Sequence, residues 1–433
     1  MTARLVSLAE KAAKALDNYS FVRVVSHNDA DGITAGGIIS NALLRSNIIF
    51  RTTIVSSFNQ DVVDSIDNYG EGGAVVFCDM GSGQPELVEQ IKDDVFIFDH
   101  HQVVGDHSGW VHVNPQAVGI DGATLLSASG TAYFVARAMG DNVDLAGLAL
   151  TGAVGDKQRM EGPNLEILQD AQKAGVISVR KGLRIPDGPV DEVLLTLLEP
   201  YLDIAGDREA TDRFLEELGV SGNIQDMGAE DTRKLASAMA LKIAGKAEPT
   251  VTQSIVGGVL ILEKEVVSNI YSLEWMLNCC GKMDQQALGL ALCMRDASVV
   301  EEATRISSKY QQKVVEQVKA GEKLIREMDH IRYVALEDAS GTGIIAGTMI
   351  RYVCPDKPFI TLNIVKDIVK VSARGTRRLV DKGLDLGIAM REAAMGVGGQ
   401  GGGHNVASGA SIPPQAIDEF LGAVDKIVGD QLG

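Results

Sequence analysis

Cysteine is scarce and unpatterned in this chain of 433 residues: Cys78, Cys279, Cys280, Cys293 and Cys354 are odd in number and lack zinc-type spacing. That argues against a disulfide framework or a cysteine-built zinc site and fits reduced, mostly buried thiols in a cytoplasmic protein. Long apolar runs are missing as well. The stretch 255–262 is too short to span a bilayer and stops at Glu263, so no membrane association is expected. Arg4, Glu10, Lys11 and Lys14 interrupt the N-terminal segment, which reads as an amphipathic helix rather than a secretion signal. Internal repeats and low-complexity tracts are absent too. Positive charge is the last shortage. The net charge is −18, which opposes tight duplex binding, because non-specific affinity for polyanions depends on cations that neutralise phosphates. The balance reverses locally: Arg351, Lys357, Lys366, Lys370, Arg374, Arg377, Arg378 and Lys382 face only Asp356, Asp367 and Asp381, which fits either a solvated basic surface or a phosphate track.

What the chain does hold is a series of ligand-type residues in its first third. His27, Asp29 and Asp31 follow an apolar β-branched run, Asp79 follows another, Asp99, His100 and His101 follow a third, and Asp156 ends an apolar helical run at Gly155. If the chain stays extended after residue 25, period-two alternation puts His27, Asp29 and Asp31 on one face, and Gly32 permits a turn into a helix near Ile33 whose leading amides suit an anion. On a strand the adjacent His100 and His101 would point opposite ways, one to a metal and one to substrate. Each cluster has a plainer reading. Residues 28–32 have turn composition, Asp79 fits a helix cap, and Asp156 fits an exposed helix end. Taken together, acids and imidazoles at successive strand ends match a two-metal site, which needs about six hard or borderline ligands from distant segments.

The order His-x-Asp-x-Asp-Gly, isolated Asp, Asp-His-His, Gly-x-x-Gly-Asp resembles the DHH phosphoesterase superfamily, whose eponymous motif stands at Asp99, His100 and His101. Near the other end, Ser372 and Arg374 in a strand, then Gly401, Gly402, Gly403 and His404 in a loop, resemble the superfamily's DHH-associated substrate-binding domain. The spacing of the first motif disfavours the pyrophosphatase branch. Asn278, Gly281 and Lys282, followed by residues 287–289, resemble the Asn-x-x-Gly-Arg pattern of the RecJ branch of nucleases, with Lys282 where Arg is usual. That exchange puts a bidentate phosphate contact there in question. The nearest likeness is to archaeal RecJ-like proteins.

The resemblance implies His27, Asp29 and Asp79 at one divalent metal and Asp31, Asp79, His100 and Asp156 at the other, with Mn²⁺ preferred and Mg²⁺ the alternative. It also implies His101 addressing substrate, Asp99 orienting an imidazole, and Ser372, Arg374, the three glycines and His404 gripping a phosphate. The activity expected is single-strand-specific exonuclease action on DNA or RNA, in replication or repair. A phosphodiesterase for short oligoribonucleotides or cyclic dinucleotides and a non-catalytic helicase-complex scaffold are the alternatives.

The expected architecture is α/β. Residues 1–184 form the first part of a parallel-sheet catalytic domain, with strands at 21–25, 48–55, 74–78 and 95–98. Residues 185–250 form an acidic helical insertion that would suit a replication-complex protein of the GINS type, or serve only as a lid. Residues 251–298 return to the core, 299–329 form a long linker helix, and 330–433 form the smaller α/β domain, with strands at 333–336, 359–365, 369–373 and 405–410. His107, His112 and His330 are read as structural.

Overall fold

Apolar runs rich in β-branched and aromatic residues form the early strands, with β1, β3 and β4 buried on both faces: β1 (Phe21–His27), β2 (Ile49–Val55), β3 (Ala74–Cys78), β4 (Asp94–Phe98) and β5 (Val111–Val113). They form one parallel sheet in the order β2-β1-β3-β4-β5. Val24, Val76, Phe96 and Phe98 enter one core with α1 (Thr2–Leu16) and α2 (Ala30–Arg45). Val25, Val75, Phe77 and Ile97 enter a second, against α3 (Gln60–Asp67) and α4 (Pro85–Val88). Helices α5 (Ala128–Met139), α6 (Ala146–Gly155) and α7 (Gly162–Lys173) complete the first layer. Strand order reverses between β1 and β3, the point of an open α/β sheet where a crevice forms beyond the carboxyl ends.

The computed structural model describes residues 2–67, 73–247, 251 and 255–433. The chain divides into two units, Met1–Lys181 with Gly258–Ser307, and Gly182–Gly257 with Ser308–Gly433. Strands β6 (Ile177–Leu183) and β7 (Val256–Leu262) form a two-stranded sheet where the chain passes between them.

The second unit carries a sheet in the order β12-β13-β11-β10-β9-β8, from β8 (Arg326–Glu327), β9 (Arg332–Glu337), β10 (Phe359–Val365), β11 (Ile368–Arg374), β12 (Gln400–Gly403) and β13 (Ala407–Ile412). The acidic helical segment is an insertion in sequence, but it packs with this unit. Tyr201 Oη donates to Glu322, Lys242 pairs with Asp203, and Arg351 pairs with Glu199 at 2.8 Å. Residues 248–250 of the expected insertion lie outside the described residues.

Three expectations are corrected here. The linker helix spans Val300–Glu322 and stops short of 329, because β8 pairs with β9 over the residues that would have extended it. The glycine tract is not a loop but the edge strand β12, and glycine is needed because a Cβ on Gly401 would lie 2.4 Å from the Met390 carbonyl oxygen. The basic run is partly neutralised, since Arg351 pairs with Glu199 and Lys357 with Glu327. A C-terminal helix, Ile417–Leu432, adds the apolar stripe Phe420, Val424 and Val428. All five thiols are free, and four of them are buried. Among the described residues no helix is long and apolar enough to cross a membrane.

Candidate functional site

β1 delivers His27, and Asp29 then caps α2, its Oδ1 accepting from Gly32 N at 2.9 Å. The sequence predicts a helix from Ile33, yet α2 begins at Ala30, so Asp31 comes from the first helical turn and not from an extended strand end. The leading amides are also taken: Gly32 N by Asp29, and Ala30 N by Asn278 Oδ1 at 2.9 Å. At these two amides the protein's own carboxylate and amide oxygens stand where an anion was expected. Gly32 serves close approach, since a Cβ there would sit 2.4 Å from His27 O.

His100 shows what the centre is built for. Its Nδ1 lies 2.7 Å from the Gly122 carbonyl oxygen, which can only accept, so the ring proton is on Nδ1. Its Nε2 then faces carboxylate oxygens of Asp79 at 3.3 Å, Asp156 at 3.4 Å and Asp31 at 3.8 Å. Burial opposes a second proton on the ring, but these carboxylates raise the His100 pKa well above its ordinary value, and a cation taking that proton's place would meet the Nε2 lone pair. Asp79 Oδ1 is buried with no hydrogen-bond donor assigned to it. Acceptors crowded in this way repel unless a cation sits among them, and imidazole held by a backbone carbonyl is the usual second contact of a metal-bound histidine. Both oxygens of Asp31 take amides at the start of α5, Ala128 N at 2.8 Å and Ser129 N at 3.0 Å, so the carboxylate is oriented and still has lone pairs to give.

A second cluster shares Asp79: His27 Nδ1 lies 2.9 Å from Asp29 and 3.4 Å from Asp79 Oδ2. Asp79 sits at φ 60, a left-handed conformation that aspartate tolerates better than most side chains and that bends the chain off β3 into the crevice. All six residues expected as ligands thus converge, in the groups His27, Asp29, Asp79 and Asp31, His100, Asp156.

The charge balance points the same way. Burial and the neighbouring Asp31 raise the Asp156 pKa, and burial with Asp79 raises that of Asp31. Burial works against protonating His27, but Asp29 and Asp79 lift it to about 11. Protons and cations thus compete for one centre, and lowering the pH fills it with protons. Apparent affinity for a divalent ion should therefore fall as pH drops from 8 to 6, with proton release on binding. Calorimetric titrations in buffers of different ionisation heat check this, and an affinity flat across that range would contradict it.

Asp99 also lies among these groups but is already engaged. Its Oδ1 accepts from His100 N, His101 N and His101 Nδ1, and its Oδ2 from Ser82 N, so it orients His101 and has little left for a metal. The two rings do not point opposite ways as on a strand. β4 has ended, and their centroids are 4.4 Å apart. The role of Asn278 and Gly281 as props is legible in the sequence only through resemblance. Asn28 Nδ2 donates to Gly281 O at 3.2 Å, and a Cβ on Gly281 would fall 1.6 Å from Asn28 O. Gly281→Ala should destabilise the fold by about 1–3 kcal/mol, as overpacked sites do, and weaken metal binding by displacing the 27–31 segment. Urea unfolding checks the first effect, and an unchanged midpoint would contradict it.

In the second unit, strand register sets Arg374 opposite Ala407, and His404 exchanges backbone hydrogen bonds with the same Ala407. Ser372, Gly409 and Gly402 form the next row but one. Ser372 Oγ lies 2.9 Å from Thr342 Oγ1. Arg374 Nη1 donates to the Ala373 carbonyl, and burial holds its pKa below the ordinary value. A half-buried guanidinium that spends one of its five N–H donors on backbone is suited to receive an anion.

Residues 21–153 match the DHH family, N-terminal domain, and residues 331–430 match the DHHA1 domain. An uncharacterized protein of Methanocaldococcus jannaschii is 33% identical over 431 residues, 97% of this chain and 96% of that protein. Among solved structures, CDC45 from Entamoeba histolytica superposes with a TM-score of 0.69 at 13% identity, covering 98% of this chain and 99% of that one. RecJ from Thermus thermophilus, in complex with Mn²⁺, gives 0.64 at 14% identity over 98% of this chain; the chain spans 55% of that RecJ. With the two matched domains, the converging donors and the shared two-domain fold, the chain belongs to the DHH superfamily of phosphoesterases and has the architecture of its RecJ-like members.

Proposed function

We propose that the protein is a metal-dependent exonuclease that hydrolyses phosphodiester bonds at the ends of single-stranded DNA or RNA. The observation that carries this reading is the convergence of Asp31, Asp79 and Asp156 on His100 Nε2, with Asp79 shared by the His27 and Asp29 cluster. His27, Asp29 and Asp79 would hold one divalent ion, and Asp31, Asp79, His100 and Asp156 a second. When bound, the ions supply Lewis acidity toward a phosphate and an acidified water. Mixed imidazole and carboxylate donors favour Mn²⁺ over Mg²⁺; the RecJ of T. thermophilus has been solved with each.

The chain's own residues do the rest. Asp99 fixes His101 through Nδ1, so Nε2 is the nitrogen that meets substrate and supports departure of the leaving oxygen. Arg374 and His404 grip a non-reacting phosphate, with Ser372 and the backbone of Gly401, Gly402 and Gly403 beside them. The complete donor set speaks against a purely structural scaffold. A replication-complex protein of the GINS type is the proposed partner of the helical segment, on the strength of exposed acids such as Asp212, Glu216, Glu217 and Asp226. End-labelled single strands of DNA and RNA incubated with Mn²⁺ or Mg²⁺ should yield a ladder ending in mononucleotides. Release only from dinucleotides would move the reading to a short-oligonucleotide phosphodiesterase, and intact strands would overturn it.

A further inference from the structure

The segment carrying His100 and His101 lies outside regular secondary structure, yet its backbone polar groups are held by side chains. Asp99 Oδ1 takes both histidine amides, Gln116 Nε2 donates to His100 O at 2.8 Å, and Asn114 Nδ2 donates to His101 O at 3.0 Å. Asn114 uses its other amide proton on Ser82 Oγ, also at 3.0 Å. Ser82 in turn supplies its backbone N–H to Asp99 Oδ2 at 3.0 Å. Ser82, Asp99 and Asn114 are all 0% exposed, so none of these bonds is exchanged readily for water.

The far end of the chain of bonds is an imidazole outside every ligand cluster. His112 Nε2 lies 2.9 Å from Ser82 Oγ. Asn114 can only donate to that oxygen, and among the described residues His112 Nε2 is the acceptor within reach of the buried hydroxyl proton, so Ser82 donates to Nε2 and the ring is the Nδ1–H tautomer. The ring stacks on His107 at 4.6 Å, and His107 donates from Nε2 to Val104 O at 2.9 Å. Burial and the neighbouring His107 lower the His112 pKa to about 4, so it accepts as a neutral ring at neutral pH.

We propose that His112, Ser82 and Asn114 are positioning residues for His101: the hydroxyl anchored by His112 and Asn114 fixes the turn after β3, whose Ser82 amide locks Asp99, and Asp99 locks the His101 ring. The proposal rests on the hydrolytic reading above for its catalytic consequence, but the hydrogen-bond chain is testable without turnover. His112→Gln retains an acceptor for the serine hydroxyl, whereas His112→Leu and Ser82→Ala do not.

The experiment measures kcat and KM on a single-stranded oligonucleotide for the full chain and these variants. It also follows the downfield proton resonance of His101 Nδ1–H, assigned by its absence in His101→Asn. Ser82→Ala and His112→Leu should lower kcat about ten- to hundredfold, the usual cost of losing such a support, with KM within about twofold, and should broaden the Nδ1–H resonance by solvent exchange. His112→Gln should restore most of both. If Ser82→Ala fails to fold, the His112→Leu and His112→Gln pair decides. A fall in kcat with an unchanged resonance, or a lost resonance with unchanged kcat, overturns the proposal. If the wild-type chain hydrolyses no strand, the functional reading fails by itself, and the resonance comparison alone upholds or overturns the positioning chain.

Discussion

Asp79→Asn should lower metal-dependent hydrolysis at least about a thousandfold, since removing a shared ligand forfeits several kcal/mol of charge stabilisation. Asparagine tolerates the left-handed φ of 60 at this position, so the chain can leave β3 as before. In metal-free protein the loss of attraction to His27 and His100 is offset by relief from Asp31 and Asp156, both of which Asp79 pushes toward protonation. Unfolding in urea without metal should therefore stay within about 1 kcal/mol of wild type, surface-like in size. The wild-type gain in stability on adding Mn²⁺ should disappear in the variant, because that gain comes from binding to the folded state alone. Normal turnover by Asp79→Asn would remove the shared-ligand arrangement from consideration.

Arg374→Met should raise KM about tenfold to a hundredfold with a small change in kcat, because a hydrogen bond to a charged group is worth about 1.5–3 kcal/mol and this one touches a non-reacting phosphate. The free protein should not become less stable. Methionine fills much of the arginine volume, and the desolvation that depresses the Arg374 pKa is relieved. A variant that binds worse yet unfolds no earlier is the signature of a residue kept for its ligand. Unchanged KM on a long single strand would take the β11 row out of the substrate path.

Particular residues show why some of this was legible in sequence and some was not. Asp79, Asp99 and His100 follow near-continuous apolar runs, the mark of a parallel strand buried on both faces, so both the sheet and the carboxyl-end placement could be read directly. The start of α2 could not, because whether Asp29 continues a strand or caps a helix depends on Asn278 holding Ala30 N from 248 residues away. The acidic segment was recognisable as helical, but its packing against Glu322 and Arg351 is a tertiary fact with no local signal. The glycine tract reads as a loop because strand propensity ignores how closely another backbone approaches, and the carbonyl of Met390 decides that. His112 looked structural because its link to His101 runs through Ser82 and Asn114, residue types common in any turn.

Diffraction at the manganese edge from crystals soaked in Mn²⁺ locates the ions themselves. Two anomalous peaks are expected about 3.5–4 Å apart, the separation of two-metal sites, one beside His27 and Asp29, one beside Asp31, His100 and Asp156, and both within bonding distance of Asp79. A single peak, or two peaks of which only one touches Asp79, would contradict this arrangement.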